Sequence, residues 1–189
     1  MYHHEFLILR HGQTEWNCAE RMQGRLDSAL TELGRDQAAR QAEILRDFGV
    51  AGWDWYASPQ GRAMATAQIA QGDHQAEITV DARLSEIDLG DWTGKVRSEI
   101  RAEVPALFEA GELGWYDHAP GGEGLAGLAA RAGAFMAGLQ GPSVIVTHGI
   151  TSRVIRCLAL GLPVNAFGSL PGGQGVAHHV CDGMARVIR

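Results

Sequence analysis

At 189 residues, with 46% hydrophobic and 20% charged side chains, the chain has the length and balance of one globular domain with a substantial core. A formal net charge of −6 argues against a general binder of nucleic acid or anionic membrane, and no apolar stretch is long enough to span a bilayer. Three widely spaced cysteines, Cys18, Cys157 and Cys181, rule out a fully paired disulfide framework, show no metal-ligand pattern and fit a reducing, cytoplasmic setting.

The start, Met1-Tyr2-His3-His4-Glu5, lacks the basic opening and the apolar length of a signal peptide. Phe6-Leu7-Ile8-Leu9 then reads as a strand buried on both faces, as in a parallel sheet covered by helices. It stops at Arg10-His11-Gly12. In open α/β sheets ligands collect at the carboxyl ends of the strands, so a cation and an imidazole are delivered to that place, and Gly12 would let the backbone pass close to a ligand. Residues 13–29 are irregular and polar. Thr31 is an expected N-cap, with Ala38, Ala42, Leu45 and Phe48 at helical spacing and Gly49 as the stop. Residues 53–57 read as a second strand. Ser58 as N-cap and Pro59 at the first helical position predict a helix start that places Arg62 in the first turn. Backbone donors there favour an anion, and an arginine can bind phosphate through two parallel hydrogen bonds.

Residues 78–81 predict a third strand, leading to Leu84-Ser85-Glu86 and a turn-rich stretch over residues 88–94. Val96, Ile100 and Val104 are spaced as a short helix ended by Pro105. Residues 107–120 carry Phe108, Trp115, Tyr116 and His118; the two aromatics at 115 and 116 either stack on a substrate or simply pack. Leu125, Leu128, Ala129, Ala132, Phe135, Met136 and Leu139 form one apolar helical face. Next comes a second copy of the first arrangement, Val144-Ile145-Val146-Thr147-His148-Gly149, followed by a helix over residues 150–160 that stops at Gly161 and Pro163. Two last strands, at 176–181 and 184–188, are joined by Asp182-Gly183 and put His178 and His179 on opposite faces. These two, with His3, His4, His74 and His118, show no ligand pattern. No repeat or linker divides the chain, so residues 1–189 are expected to form a single domain, with a short variable cap segment at about 95–124. Two strand ends offering a histidine each, beside an arginine, suit a dianionic oxygen cluster such as a phosphoryl group, and histidine can attack phosphorus directly.

Four segments, at 9–17, 57–63, 84–94 and 146–149, follow one another in the order found in the histidine phosphatase superfamily, the phosphoglycerate-mutase-like proteins, and the chain resembles that family. The resemblance implies an α/β fold, a three-layer α/β/α sandwich with a mostly parallel central sheet. It implies a metal-independent phosphoryl-transfer enzyme needing no cofactor and acting on a small phosphorylated substrate. On this reading His11 is the nucleophile, and Arg10, Arg62 and His148 hold the transferring group. Glu86 donates a proton to the leaving oxygen, a role for which Asp88 and Asp91 are the local competitors. A negative phosphoryl group beside that carboxyl would favour its protonated form. Asn17, Gln23, Gly24 and Gly149 are the expected substrate contacts. Mutases of the family are generally longer, with inserted segments that exclude water and grip the substrate carboxylate. The compact length, and no basic cluster at 95–124 beyond Lys95, Arg97 and Arg101, favour a phosphatase. A non-catalytic phosphate-binding module would be expected to lack His11 or Glu86, and both are present.

Overall fold

The structure is a computed structural model that describes residues 5–109 and 113–189. Six strands, β1 (Phe6–Arg10), β2 (Asp54–Ala57), β3 (Ile78–Val80), β4 (Ser143–Thr147), β5 (Ala177–Cys181) and β6 (Met184–Ile188), form one sheet in the order β3-β2-β4-β1-β5-β6. The first four run parallel, whereas β5 is antiparallel to β1 and β6 antiparallel to β5. The apolar runs behave as expected of central parallel strands. Leu7 and Leu9 face one helical layer, α2 (Glu32–Phe48) and α3 (Gly61–Gln71), through Ile44, Leu45, Ala67 and Ala70. Phe6 and Ile8 face the other, α6 (Gly124–Met136) and α7 (Gly149–Ala159), through Leu128, Phe135, Val154 and Ile155. The chain therefore builds the expected three layers around a mostly parallel sheet. Each fully buried large apolar side chain contributes roughly 1.5–3 kcal/mol to this arrangement.

Local signals held where the backbone alone determines the outcome. Thr31 Oγ1 accepts from Gly34 N at 3.0 Å, and Gly49 ends α2 with φ +86°. Elsewhere tertiary partners changed the result. The polar stretch after β1 contains a short helix, α1 (Glu15–Cys18), capped by Thr14. The helix expected to start at Ser58-Pro59 starts at Gly61, with Gln60 as N-cap, because the Ser58 hydroxyl is engaged by His148 and Gln60. Gly12 serves a purpose other than ligand approach: a Cβ there would sit 2.0 Å from the Gly34 carbonyl oxygen, so the glycine admits the first turn of α2. Pro105, expected to end α4 (Arg97–Glu103), also opens α5 (Pro105–Glu109). Ile100, Trp92 and Trp115 are buried, and this stretch packs into the same core as α6 and α7.

Candidate active site

The parallel pairing of β1 with β4 puts Arg10 opposite Thr147, so His11 and His148 leave adjacent strand ends together. His11 N donates to Thr147 O at 3.0 Å, continuing the ladder by one bond. Both imidazoles are buried, with ring centroids 5.1 Å apart. Thr147 Oγ1 donates to Leu84 O at 2.6 Å and ties this edge to the loop that carries Glu86.

Neighbouring groups settle the tautomer of His11. Nδ1 lies 2.7 Å from Gly12 O, a pure acceptor, so Nδ1 carries the proton. Arg62 Nε, a pure donor, lies 3.2 Å from His11 Nε2, which must therefore present its lone pair. Burial, reinforced by the Arg10 and Arg62 charges, holds the His11 pKa well below the usual imidazole value against the opposing pull of the Gly12 carbonyl. His148 is also held well below that value, first by burial and then by Arg62, His11 and Arg10. Its Nε2 pairs with Ser58 Oγ at 2.7 Å, while the buried Nδ1 has no hydrogen-bond partner among the described residues.

Arg62 is 2% exposed and lies in the first turn of α3, as expected. The first-turn donor expected to face an anion is capped instead, since Arg62 N donates to Asp27 Oδ1 at 3.2 Å. Its Nη1 is spent on Leu26 O and Asp27 Oδ1, and Nη2 donates to Gly24 O at 3.0 Å. One Nη2 hydrogen is uncommitted, and the single Nε hydrogen is held by His11 Nε2; that hydrogen can turn to a ligand, restoring a two-point edge, once the His11 lone pair engages phosphorus. Arg10 lies against Gly149, where an added Cβ would stand 3.4 Å from the guanidinium carbon, and the buried Arg10 Nε is without a partner among the described residues. Glu86 sits across the pocket. Its carboxylate accepts from Ile87 N, Ile150 N, Thr151 N and Thr151 Oγ1 at 3.0–3.2 Å. The donors of the α7 N-terminus thus orient the acid. Asp88 does turn work, accepting from Gly90 N at 2.9 Å, and neither Asp88 nor Asp91 lines the pocket.

Arg10, His11, Asn17, Gln23, Gly24, Arg62 and Glu86 all border one small pocket of about 60 Å³. A larger cavity, about 650 Å³, lies between residues 50–56 and 73–79 and touches neither histidine. Gln23 is a brace, because Nε2 donates to Thr14 Oγ1 and Oε1 accepts from Ser28 Oγ. Gly24, at φ +48°, turns its carbonyl onto Arg62 and Gln60. The two aromatics divide the alternatives between them. Trp115 is 1% exposed and stacked between Phe108 and Tyr116, whereas Tyr116 lines the pocket with Arg21, Met22 and Leu89, its hydroxyl pushed up to about 12 by burial. Sequence reasoning missed Ser58, Thr151 and Gln174, whose Nε2 reaches His11 O at 3.1 Å. The Ser58 signal was present but read as a helix cap.

Among the described residues one trio of metal-capable groups converges, Glu5, His179 and Cys181. It lies toward the amino end of β1, away from the histidine pair. His179 is already engaged there by Glu5 at 2.6 Å and by Arg186 at 3.2 Å, and the arginine places a positive charge against the ring.

Comparison with known proteins agrees with this geometry. A protein named glucosyl-3-phosphoglycerate phosphatase from Mycolicibacterium vanbaalenii is 36% identical, covering 92% of this chain and 81% of its own. A probable phosphoglycerate mutase, GpmB, from Erwinia tasmaniensis is also 36% identical, over 84% of this chain and 76% of its own. The native structure of a mycobacterial glucosyl-3-phosphoglycerate phosphatase superposes with a TM-score of 0.82 at 31% identity, covering 97% and 96% of the two chains. The family model described as histidine phosphatase superfamily (branch 1) matches residues 6–180, a span from the first residue of β1 to the penultimate residue of β5 that takes in both strand-end histidines and Glu86. The chain belongs to the histidine phosphatase superfamily.

Proposed function

We propose that this member of the superfamily hydrolyses small phosphate monoesters through a covalent phosphohistidine on His11. One observation carries the reading. His11 is a buried, neutral imidazole whose Nδ1 proton is committed to Gly12 O, so Nε2 is unprotonated on the pocket side, its lone pair accepting from Arg62 Nε. In the first half-reaction Nε2 bonds to phosphorus as the ester P–O bond breaks, and Glu86 gives its proton to the departing alkoxide. Arg10, the Nε/Nη2 edge of Arg62 and His148 hold the equatorial oxygens, with the Asn17 amide as a further contact. In the second half-reaction Glu86 takes a proton from water, which attacks phosphorus and releases orthophosphate from His11.

Relatives carry both phosphatase and mutase names, so the cap segment supports the choice. Lys95 is paired with Glu103 at 2.8 Å, and Arg97 and Arg101 lie over the Phe108 ring, so these three serve the cap itself. Arg21, at the pocket rim, donates to Gly94 O and lies over Trp16. The cations at 95–124 are thus committed within that segment, which supports release to water. The three unpaired cysteines fit a cytoplasmic location. Glycosylated phosphoglycerates, by similarity to the mycobacterial protein, are the first esters to assay. The reading is tested by quenching turnover with labelled substrate. Acid-labile label should accumulate on the wild-type chain, none on His11→Ala, and activity should persist in excess EDTA. Turnover without labelled protein, or full loss on chelation restored by a divalent ion, would reject it.

A further inference from the structure

The loop between α7 and β5 reaches the pocket residues His11 and Asn17 through Gln174 and is tied down at both ends. Arg153 Nε donates to Leu170 O at 3.1 Å and Arg156 Nη2 to Pro171 O at 2.8 Å. Arg156 is 1% exposed, and its remaining bonds go to Ser152 O and His178 Nδ1. At the far end Gln41 Nε2 bridges Arg10 O and Val176 O, each at 3.0 Å, fastening the loop to β1. Between these anchors lies Gln174, whose Nε2 is 3.1 Å from His11 O and 3.3 Å from Asn17 Oδ1.

Two backbone groups fix the sense of both amides. His11 O can only accept, so the Gln174 atom facing it is the NH₂. That NH₂ also faces Asn17, which must answer with its oxygen. Thr14 N, which can only donate, faces the same Asn17 oxygen at 3.2 Å and demands the same orientation. With Oδ1 held by two donors, the Nδ2 end of Asn17 is left for the pocket that this residue lines. A flipped amide would set NH₂ against both donors. We propose that Gln174 is a positioning residue that aims the Asn17 amide donors at the transferring phosphoryl group. The inference rests on the pocket being a phosphate site.

The test is a double-mutant cycle read by calorimetric binding of inorganic phosphate to the full-length chain. Gln174→Met keeps the side-chain length and removes the donor. It should weaken phosphate binding roughly tenfold, the lower range for one hydrogen bond to a charged group, but by less than about twofold in an Asn17→Ala background, where nothing remains to be aimed. Gln174→Ala runs the same cycle should methionine disturb the loop, and thermal melts verify that each variant is folded. Equal weakening in both backgrounds, or none in the parent, overturns the inference while leaving the phosphate site standing. A parent chain that binds no phosphate overturns the functional reading and this inference with it.

Discussion

The strand-end pocket and the segment at about 95–124, expected from the sequence to act as a cap, are held by different forces. In the pocket the functional side chains are fixed by main-chain groups. Gly12 O holds the His11 proton, Gly24 O and Leu26 O hold Arg62, and the amides of Ile150 and Thr151 hold Glu86. The cap rests on ring contacts, with Phe108 and Trp115 centroids 5.0 Å apart, Trp115 and Tyr116 4.0 Å, and Trp92 and Trp115 5.9 Å. Main-chain hydrogen bonds set an atom's position within a few tenths of an ångström, as reaction geometry requires. Stacked rings fix volume more than atomic position and accept changes of similar size. Chemistry and leaving-group fit can therefore vary separately in this molecule.

The sharpest test of that division is Glu86→Gln, which keeps the shape and removes the transferable proton. An alkyl phosphate should be turned over roughly 10²–10⁴-fold more slowly, the usual worth of a general acid, and a nitrophenyl phosphate only mildly so, because its leaving group departs unaided. Equal slowing in single-turnover assays on both esters would move the proton-donor role to another group.

On the cap side, Trp115→Ala should cost about 3–5 kcal/mol of stability, as expected for a large buried aromatic, measured by urea unfolding. Tyr116→Phe should leave stability nearly unchanged and alter kcat/KM selectively for bulky esters. If Tyr116→Phe instead slowed every ester equally, the cap would belong to the chemistry and the comparison would fail.

Arg62→Lys should lower kcat/KM roughly ten- to a hundredfold, from about 1.5–3 kcal/mol per lost charged hydrogen bond. It should also loosen the loop at Gly24 and Leu26, so a modest drop in unfolding midpoint is expected with it. A variant within twofold of the parent in kcat/KM would mean that Arg62 is only scaffolding.

The smallest effect is the pH dependence of stability. The folded pKa values of His11, His148 and His178 are depressed, that of His178 to about 4, by burial first and by neighbouring arginines second. The unfolded chain therefore binds more protons below about 6.5, the free imidazole value. Their neutral burial is at no disadvantage above that pH and weakens the fold as pH falls below it, by up to ~1.4 kcal/mol per pH unit per histidine. Urea midpoints from pH 7.5 to 5 should decline accordingly, before the carboxylates held down by arginine partners, Asp81 and Glu123, begin to titrate. A flat profile across that range would show that the histidines are not buried as described.

The sheet and its site were legible in the sequence to an uneven degree. Apolar runs of four and three residues, leading into Arg10-His11 and Thr147-His148, announced the central strands, because only a strand covered on both faces buries every residue of such a run. Thr31 and Gly49 announced α2, because caps are local chemistry. The resemblance carried by four short segments assigned His11, Glu86, Arg62 and His148 to one place; His11, Glu86 and Arg62 border one pocket, while the buried His148 does not line it and sits with its ring 5.1 Å from that of His11.

What the sequence determined by itself is the set of groups: an imidazole at each of two strand ends, two arginines, one carboxyl, and the strands and helices that carry them. Tertiary structure decided how each group is used, since a side chain's role depends on partners far away along the chain. The Ser58 hydroxyl looked like a cap until His148, ninety positions later, took it. Gly12 looked open to a ligand until Gly34 filled the space. Gln23 read only as a substrate contact, yet on the pocket wall Thr14 and Ser28 also engage its amide and make it a brace. The proton on His11 and the direction of the Asn17 amide were undecidable from residue types, because an imidazole or an amide is donor or acceptor only in relation to what faces it. Gly12 O, Arg62, Thr14 N and Gln174 face them, and that encounter exists only in the folded chain.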